Sequence, residues 1–233
     1  MISAGMAGIV ATLSRHSSHG LESVPAGRCA DVLGMTGVAV TVLTPGGAGE
    51  VIWRTDGSGA RLDDLHFILG EGPAVDAAAS GELILEPDLS AVPQQRWPAF
   101  TAAAIDLGVR AVFAIPMQIG AVRLGVLLAH RNLPGPIGDG ALADALAFAD
   151  AATGALLGPV TAGLAVPRWF AEQPTGYTAQ IHQATGMVSV QLGVDQAEAM
   201  IRLRAHAFGR RRVLDDVAAD VLARRLRFDE DAE

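Results

Sequence analysis

Lysine is missing from this sequence of 233 residues, and all 17 basic residues are arginines. Exclusive use of arginine is typical of a composition bias, so an arginine at any one position indicates little by itself. Cysteine occurs once, at Cys29, and a disulfide within the chain is therefore impossible. This cysteine usage predicts a reducing, cytoplasmic location.

Long apolar segments are also missing, although 50% of the residues are hydrophobic. Charges, glycines or prolines interrupt every run before it reaches the ~18 residues that cross a bilayer. The N-terminal stretch lacks the basic start of a secretory signal. The sequence predicts one or two domains with substantial cores and no association with a membrane.

No catalytic constellation stands out in the sequence. The six histidines show no metal-ligand spacing, and Cys29 has no second thiol. Asp63 and Asp64 form a carboxylate pair in a predicted loop, without a base or nucleophile nearby in the sequence. We therefore expect no enzyme activity, no metal and no cofactor, and we interpret His130 and Cys29 as core residues.

The charges that are present divide unevenly along the chain, whose net charge is −8. Residues 1–173 contain nine arginines against 16 acidic residues, whereas residues 174–228 contain eight arginines against five. Residues 229–233 add four acidic side chains. The pattern argues against nucleic-acid binding by the whole surface and indicates an acidic body with a small basic module.

Alternating apolar segments predict two β-hairpins in the N-terminal part and a short strand between them. The hairpins cover residues 36–44 with 49–55 and 110–118 with 121–130, and the strand covers 82–86. Helices are predicted at residues 21–34, 73–80, 97–107 and 139–157. The order predicts an α+β domain with a mostly antiparallel sheet, and the alanine-rich helix 139–157 suits close packing on another helix, including a second copy of itself.

Residues 158–176 contain three prolines and three glycines and are interpreted as a linker or a broken helix. Three short helices are predicted beyond it, at about 177–192, from Asp195 to Gly209, and at about 214–227. Asp195 and Glu198 have the spacing of a capping box. The predicted domains are residues 1–158, a linker at 159–176, a helical module at 177–228 and an acidic tail at 229–233.

The helical module resembles the ANTAR domain, the RNA-binding module of bacterial transcription antiterminators. The likeness rests on IHQATGMVSVQLGV (181–194), DQAEAMIRLRAHAF (195–208) and RRRVLDDVAADVLARRLRF (210–228). It implies a three-helix bundle that binds paired RNA stem-loops and prevents a terminator hairpin from forming. Because two stem-loops call for two modules, the resemblance also implies a homodimer. Thr185 stands where many members of this family have lysine.

Gly186 interrupts the first helix of the module, at a cost of ~1 kcal/mol relative to alanine. One explanation is that RNA loop bases approach the backbone here, with hydrogen bonds from His182, Thr185 and Gln191 to base edges. The other is that the glycine lets a neighbouring helix pack tightly. Both explanations fit the sequence.

Arginines of the module are the candidates for RNA phosphates, and the chosen residues are Arg202, Arg204, Arg210 and Arg211. Arg212, Arg224 and Arg225 belong to the same basic group. The alternative is a solvated face on which Arg204 or Arg225 pairs with Asp216 or Asp220. No aromatic residue interleaves with these arginines, which argues against base stacking on a sheet of aromatics.

The N-terminal part resembles a GAF domain of the kind that is fused to ANTAR modules. The likeness covers residues ~20–158 and rests on GEGPAVDAAASGELILEPDLS (70–90) and on residues 96–137, which begin RWPAFTAAAIDLGV. GAF domains are sensor folds, some of which bind small molecules, haem or nucleotides. The turn Gly70–Pro73 lacks the spacing and the lysine of a phosphate loop, and Ala74 stands where related chains often have cysteine.

Apolar residues on the predicted strands and their edges are the candidates for a ligand pocket, which would suit a mostly apolar or aromatic ligand. These residues are Val40, Trp53, Phe67, Phe113 and Val126. Ordinary core packing would explain the same residues.

The sequence as a whole predicts a cytoplasmic transcription antitermination regulator. RNA binding by its ANTAR-like module would be controlled by a GAF sensor or dimerisation domain. The alternative is a protein-interaction regulator whose GAF domain is a ligand-free dimer scaffold. A small-molecule enzyme is disfavoured because no acid, base or metal constellation was found.

Overall fold

A computed structural model of the chain describes residues 1–15, 20–43, 49–161, 177–210 and 212–228. The described residues form two units, one built from those up to 161 and the other from those after 176. Residues 162–176 of the predicted linker, Arg211 and the acidic tail 229–233 lie outside the described residues.

The first unit is built on a five-stranded sheet in which every pairing is antiparallel, with strand order β2-β1-β5-β4-β3. The strands are β1 (Gly37–Leu43), β2 (Gly49–Arg54), β3 (Ile84–Glu86), β4 (Ala111–Ile119) and β5 (Val122–Arg131). Both predicted hairpins and the short strand are therefore confirmed, as is the α+β class.

Helices cover both faces of this sheet. On one face lie α1 (Ala4–Arg15), α2 (Ala26–Leu33) and α6 (Asp139–Thr161), and on the other lie α3 (Ser58–Leu69), α4 (Pro73–Ser80) and α5 (Pro98–Asp106). Trp53 of β2 stacks on Phe148 of α6, with 5.2 Å between ring centroids, and its indole Nε1 donates to the Val24 carbonyl oxygen at 2.8 Å. Leu62, Trp97 and Phe100 form the core on the opposite face with Val126 and Leu128.

Two helices of the first unit were not predicted from the sequence. Met6, Ile9 and Leu13 are the buried side of α1, and their spacing is helical. In α3 the buried positions include the polar residues Asp63 and His66, which breaks the apolar pattern by which helices are recognised. Asp63 and Asp64 therefore lie in a helix, not in the predicted loop.

The segment Asp139–Gly158 of α6 is long and apolar enough, with a mean hydropathy of 1.3, to cross a membrane on those two criteria. No such segment was expected from the sequence, because charges and glycines interrupt its apolar residues. The side chains of Ala145, Phe148 and Ala152 are fully buried within the first unit. Its backbone also packs on α1 and β4, so we interpret α6 as a core helix.

The second unit consists of α7 (Tyr177–Leu192), α8 (Gln196–Gly209) and α9 (Leu214–Leu222) around a common core. The core side chains are apolar and come from all three helices: Ile181, Ala184, Val188, Met200, Leu203, Val217 and Val221. The Asp195 carboxylate accepts a hydrogen bond from the Glu198 amide at 2.8 Å, as the capping prediction requires. The Glu198 carboxylate, however, accepts from Arg202 at 2.7 Å.

The third helix ends at Leu222, earlier than the predicted residue 227. Arg224 then adopts a left-handed backbone conformation with φ = 58°, and it is the only non-glycine residue with positive φ in the described parts of the chain. This conformation turns the chain out of the helix. The amide of Phe228 returns to α7, where it donates to the Gln191 Oε1 at 2.9 Å.

The alanine-rich helix α6 generates a prediction about assembly. Ala147 and Ala151 are partly exposed beside the exposed Leu146, so charge at these positions would disrupt a seam between two copies. We expect the protein to scatter light as a species of about twice its 24.0 kDa chain mass. The double variant Ala147→Glu/Ala151→Glu should scatter as a monomer. A monomeric parent protein at tens of micromolar would contradict the prediction.

Candidate functional site

The turn Gly70–Pro73 joins α3 to α4 and is explained by the structure around it. Gly70 ends α3 in a left-handed conformation, and Pro73 occupies the first turn of α4. Between them, Glu71 Oε1 accepts hydrogen bonds from the Ala99 amide at 2.8 Å and the Phe100 amide at 2.7 Å. The carboxylate thus satisfies two N-terminal amides of α5 and places a negative charge at the start of that helix.

Gly72 has φ = 117°, which side chains rarely adopt. A Cβ atom here would lie 2.8 Å from His66 Cδ2 and 2.9 Å from Phe100 Cδ2. The glycine therefore allows the turn to close over the His66 ring, whose centroid lies 4.3 Å from that of Phe100.

The five predicted pocket residues do not line one cavity. Val40 of β1 pairs with Leu127 of β5, and both side chains, together with Trp53 and Phe113, lie on the face covered by α1, α2 and α6. Val126 lies on the other face, the one that α3 covers, and α3 also carries Phe67. Successive residues of a strand point to opposite faces, and the prediction combined residues of both.

Polar groups are buried in the layer of α3. Asp63 Oδ2 and His66 Nε2 have no hydrogen-bond partner among the described residues, and both side chains are buried. Burial raises the pKa of Asp63 to about 8, with Arg54 acting against the rise and Asp64 adding to it. Burial lowers the pKa of His66 to about 4, although its Nδ1 lies 2.9 Å from the Leu62 carbonyl oxygen.

His130 and Cys29 are core residues, as expected. His130 is buried at the end of β5 against Gly37, and burial lowers its pKa to about 4. Burial, followed by the charge of Asp144, raises the pKa of the Cys29 thiol to about 12, so this thiol stays protonated. Within the described ranges, no group of three or more histidine, cysteine, aspartate or glutamate side chains could hold a metal ion.

The predicted RNA contacts on α7 are separated by the structure. Thr185 is 3% exposed, and its hydroxyl donates to the Ile181 carbonyl oxygen at 2.7 Å. It therefore lies in the core and does not face solvent. His182 is half-buried, and burial, with a smaller contribution from the Arg204 charge, lowers its pKa. Gln191 is partly exposed, with its Oε1 bonded to the Phe228 amide.

Gly186 is not explained by helix packing. A Cβ atom built on this residue would meet no heavy atom within 4 Å outside its own helix backbone. The packing explanation fails at this position because there is open space above the glycine.

The arginines of the second unit differ in their burial and in their ion pairs. Arg202 is exposed but pairs with Glu198 at 2.7 Å, and Arg204 is mostly buried, which lowers its pKa to about 10. Arg210 is exposed at the end of α8. Two further arginines share one carboxylate: Arg212 and Arg225 each lie 2.7 Å from an Asp220 oxygen, as the ion-pair alternative predicted for Arg225.

A groove of about 710 Å³ lies on the second unit, between the outer face of α7 and the chain from Leu222 onward. Its lining consists of Gln183, Gly186, Met187, Val190, Gln191, Leu222, Arg224 and Arg227. Arg224 and Arg227 make no ion pair with the part of the chain that the structure describes. Gly186, Gln191 and, within the basic group, Arg224 were predicted from the sequence. Gln183, Met187, Val190, Leu222 and Arg227 were not, although positions 183, 187 and 190 follow one another at helical spacing.

The first unit, a five-stranded antiparallel sheet between two layers of helices, has the fold of a GAF domain. No family model and no curated protein matches the chain. Among solved structures, the GAF domain from a phosphoenolpyruvate-protein phosphotransferase of Coxiella burnetii is similar with a TM-score of 0.51 at 14% identity, over 70% of this chain and 100% of that one.

Two further structures give the same result. The GAF domain from the Acinetobacter phosphoenolpyruvate-protein phosphotransferase has a TM-score of 0.51 at 12% identity, over 67% of this chain and 93% of that one. The phycoerythrobilin-bound GAF domain from a cyanobacterial phytochrome has a TM-score of 0.51 at 13% identity, over 69% of this chain and 99% of that one. At these identities the likeness establishes the fold of the first unit.

The buried Asp63 generates a prediction about pH. The folded domain retains the carboxyl proton up to a pH of about 8, whereas the unfolded chain releases it near the ordinary aspartate pKa of 3.8. Stability should therefore fall as the pH rises between these values, by about 1.4 kcal/mol per pH unit at most. Asp63→Asn should remove this slope, measured by chemical denaturation from pH 7 to 8, where His66 and His130 are neutral in the folded state and mostly neutral in the unfolded chain.

The matched control is Asp106→Asn, which replaces an exposed carboxylate and should retain the slope. If Asp63→Asn loses stability with pH as steeply as the parent, Asp63 is not the titrating group.

Proposed function

We propose that this protein is a cytoplasmic transcription antitermination regulator without enzyme activity. A GAF domain receives a signal, and a C-terminal ANTAR-like module binds RNA stem-loops. The observation that supports RNA binding most directly is the groove beside Gly186, which has two arginines in its lining and no acidic residue. Its position on α7 coincides with the residues that carry the family resemblance.

The electrostatics of the second unit favour a small number of phosphate contacts. Three of the module's arginines are held by carboxylates, and Arg204 is mostly buried. Among the described arginines of the module, Arg210, Arg224 and Arg227 remain for phosphates, and Arg211 lies outside the described residues. Few phosphate contacts give weak non-specific binding, and affinity then depends on features that only the correct RNA offers.

Dimerisation would complete the output. One short helical module covers little RNA, but two modules in a homodimer would engage two stem-loops at once and gain affinity through effective concentration. Holding two stem-loops would sequester the RNA strand that a terminator hairpin needs. A signal at the GAF domain would act by changing the dimer or the freedom of the modules.

The ligand of the GAF domain would have to accommodate buried polar atoms. A molecule bound beside α3 would approach two buried polar atoms, Asp63 Oδ2 and His66 Nε2, which lack partners in the described structure. Such a ligand would gain by supplying an acceptor for a protonated carboxyl or a donor for a neutral imidazole nitrogen. This revises the apolar ligand that the sequence suggested.

A protein partner is the second candidate function, and one observation favours it. Phe208 of α8 is 78% exposed and Ile201 is 55% exposed, an unusual display of large apolar side chains on so small a module. In this alternative the second unit binds a protein through α8, and the GAF domain is a ligand-free dimer scaffold.

RNA binding is tested with the full-length protein and an RNA of two tandem hairpins, by fluorescence anisotropy between 50 and 200 mM salt. We expect tighter binding to the tandem RNA than to one hairpin, and affinity that falls with salt. Arg224→Ala/Arg227→Ala should flatten the slope of log affinity against log salt by about 2, because two phosphate contacts are removed. The control Arg15→Ala removes an exposed arginine of the first unit and should leave the slope unchanged.

Salt-independent binding, or equal affinity for one hairpin and two, would contradict the proposal. Capture of a protein partner that depends on Phe208 and Ile201, together with no RNA binding at any salt, would establish the alternative.

A further inference from the structure

Two residues of the second unit disfavour the backbone conformation that they adopt, and both line the groove. Gly186 occupies the middle of α7, where an alanine would fit without contact and would favour the helix. Arg224 has φ = 58°, a left-handed conformation that favours glycine or asparagine. Local rules of sequence choice are broken most often at functional sites.

The chemistry of the lining identifies the kind of occupant. The exposed apolar atoms of Met187, Val190 and Leu222 offer contact to a flat apolar surface, and Val190 is 84% exposed. Gln183 is exposed, and its amide makes no hydrogen bond with the described residues. Gln191 uses only its Oε1 for the Phe228 amide, so its NH₂ has no partner among the same residues. Arg224 and Arg227 add two planar cations.

A flat apolar group with polar edges and an attached negative charge fits this lining. An unpaired nucleobase with its phosphate has these three properties, and unpaired bases in RNA are recognised by stacking on guanidinium planes and by hydrogen bonds to their edges. The volume of about 710 Å³ is within the range of small-molecule sites and leaves room for one nucleotide and part of the next.

We propose that this groove binds one base extruded from an RNA loop and thereby sets the loop sequence that the protein selects. The absence of a side chain at Gly186 brings the base onto the α7 backbone. The amides of Gln183 and Gln191 contact its edges, and Arg224 and Arg227 contact the base plane or flanking phosphates. This inference rests on the proposed RNA-binding function and adds the location and origin of its specificity.

The charge and the shape of the groove both favour an RNA base over an acidic peptide. The lining of the groove contains two cations. Its apolar side chains offer a broad contact surface beside Gly186, and not a closed pocket that would enclose a side chain. A peptide anchor would gain nothing from open backbone at Gly186, whereas a flat ring gains close approach.

The test starts from a pool of RNAs with two hairpins, constant stems and randomised loops, enriched on the full-length protein. Gly186→Leu should weaken binding of the enriched RNA by about 10-fold or more, the loss typical of one base contact. Binding of the same stems with shuffled loops should change little. Gln183→Ala should broaden the set of loops that is enriched. The control Ala205→Leu adds the same side chain at an exposed position of α8 outside the groove and should retain affinity and selectivity.

Thermal melts of every variant separate binding from folding. If Gly186→Leu unfolds the second unit, Gln183→Ala and the smaller Gly186→Ala decide the question, since neither fills space that another residue occupies. If folded groove variants enrich the same loops as the parent protein, the groove inference is overturned and the RNA-binding function stands. Failure to enrich any RNA at 50 mM salt would overturn both.

Discussion

Burial of the sheet on both faces is the constraint on which the first unit depends. The side chains of β5 from Val126 to His130 are all buried, because β5 lies between β1 and β4 and under helices on either side. A strand in this position must be apolar at successive residues, and shifting its register by one residue would exchange its two faces. The same constraint places Val40 and Trp53 on the face that α6 covers and Val126 on the face that α3 covers.

In the second unit, several contacts together hold the segment after α9. The Leu226 amide donates to the Asp220 carbonyl oxygen at 3.1 Å, and the Phe228 ring lies edge-on to His206 with 5.3 Å between ring centroids. The Phe228 amide donates to Gln191 Oε1 at 2.9 Å, and this bond joins the segment to α7, which lines the other side of the groove. A role predicted for Gln191 as a direct RNA contact is therefore partly replaced by a role in building the site.

Elements with a strong local pattern could be predicted from the sequence. The hairpins followed from alternation and turn residues, and the start of α8 followed from the spacing of Asp195 and Glu198. Elements whose inner faces mix polar and apolar residues could not, as α3 illustrates with Asp63 and His66. The third helix was predicted too long because nothing in ARRLRF reveals a left-handed arginine.

The candidate site was predicted only in part, for a different reason. Sequence identified the basic module and Gly186, but it could not distinguish Arg202, which is paired, from Arg227, which lines the groove. Pairing depends on where carboxylates lie in space. Thr185 illustrates the same limit, since a hydroxyl next to Gly186 in sequence turns inward to the Ile181 carbonyl oxygen.

Asp220 lowers the net positive charge of the second unit. One carboxylate pairs with Arg212, which follows α8, and with Arg225, which follows α9. Attraction to a phosphate backbone rises steeply with each cation that is free to engage it. In the RNA-binding function that we propose, this pairing would weaken adhesion to strands that offer only a phosphate backbone, so an acidic residue that never meets the RNA would contribute to its selection.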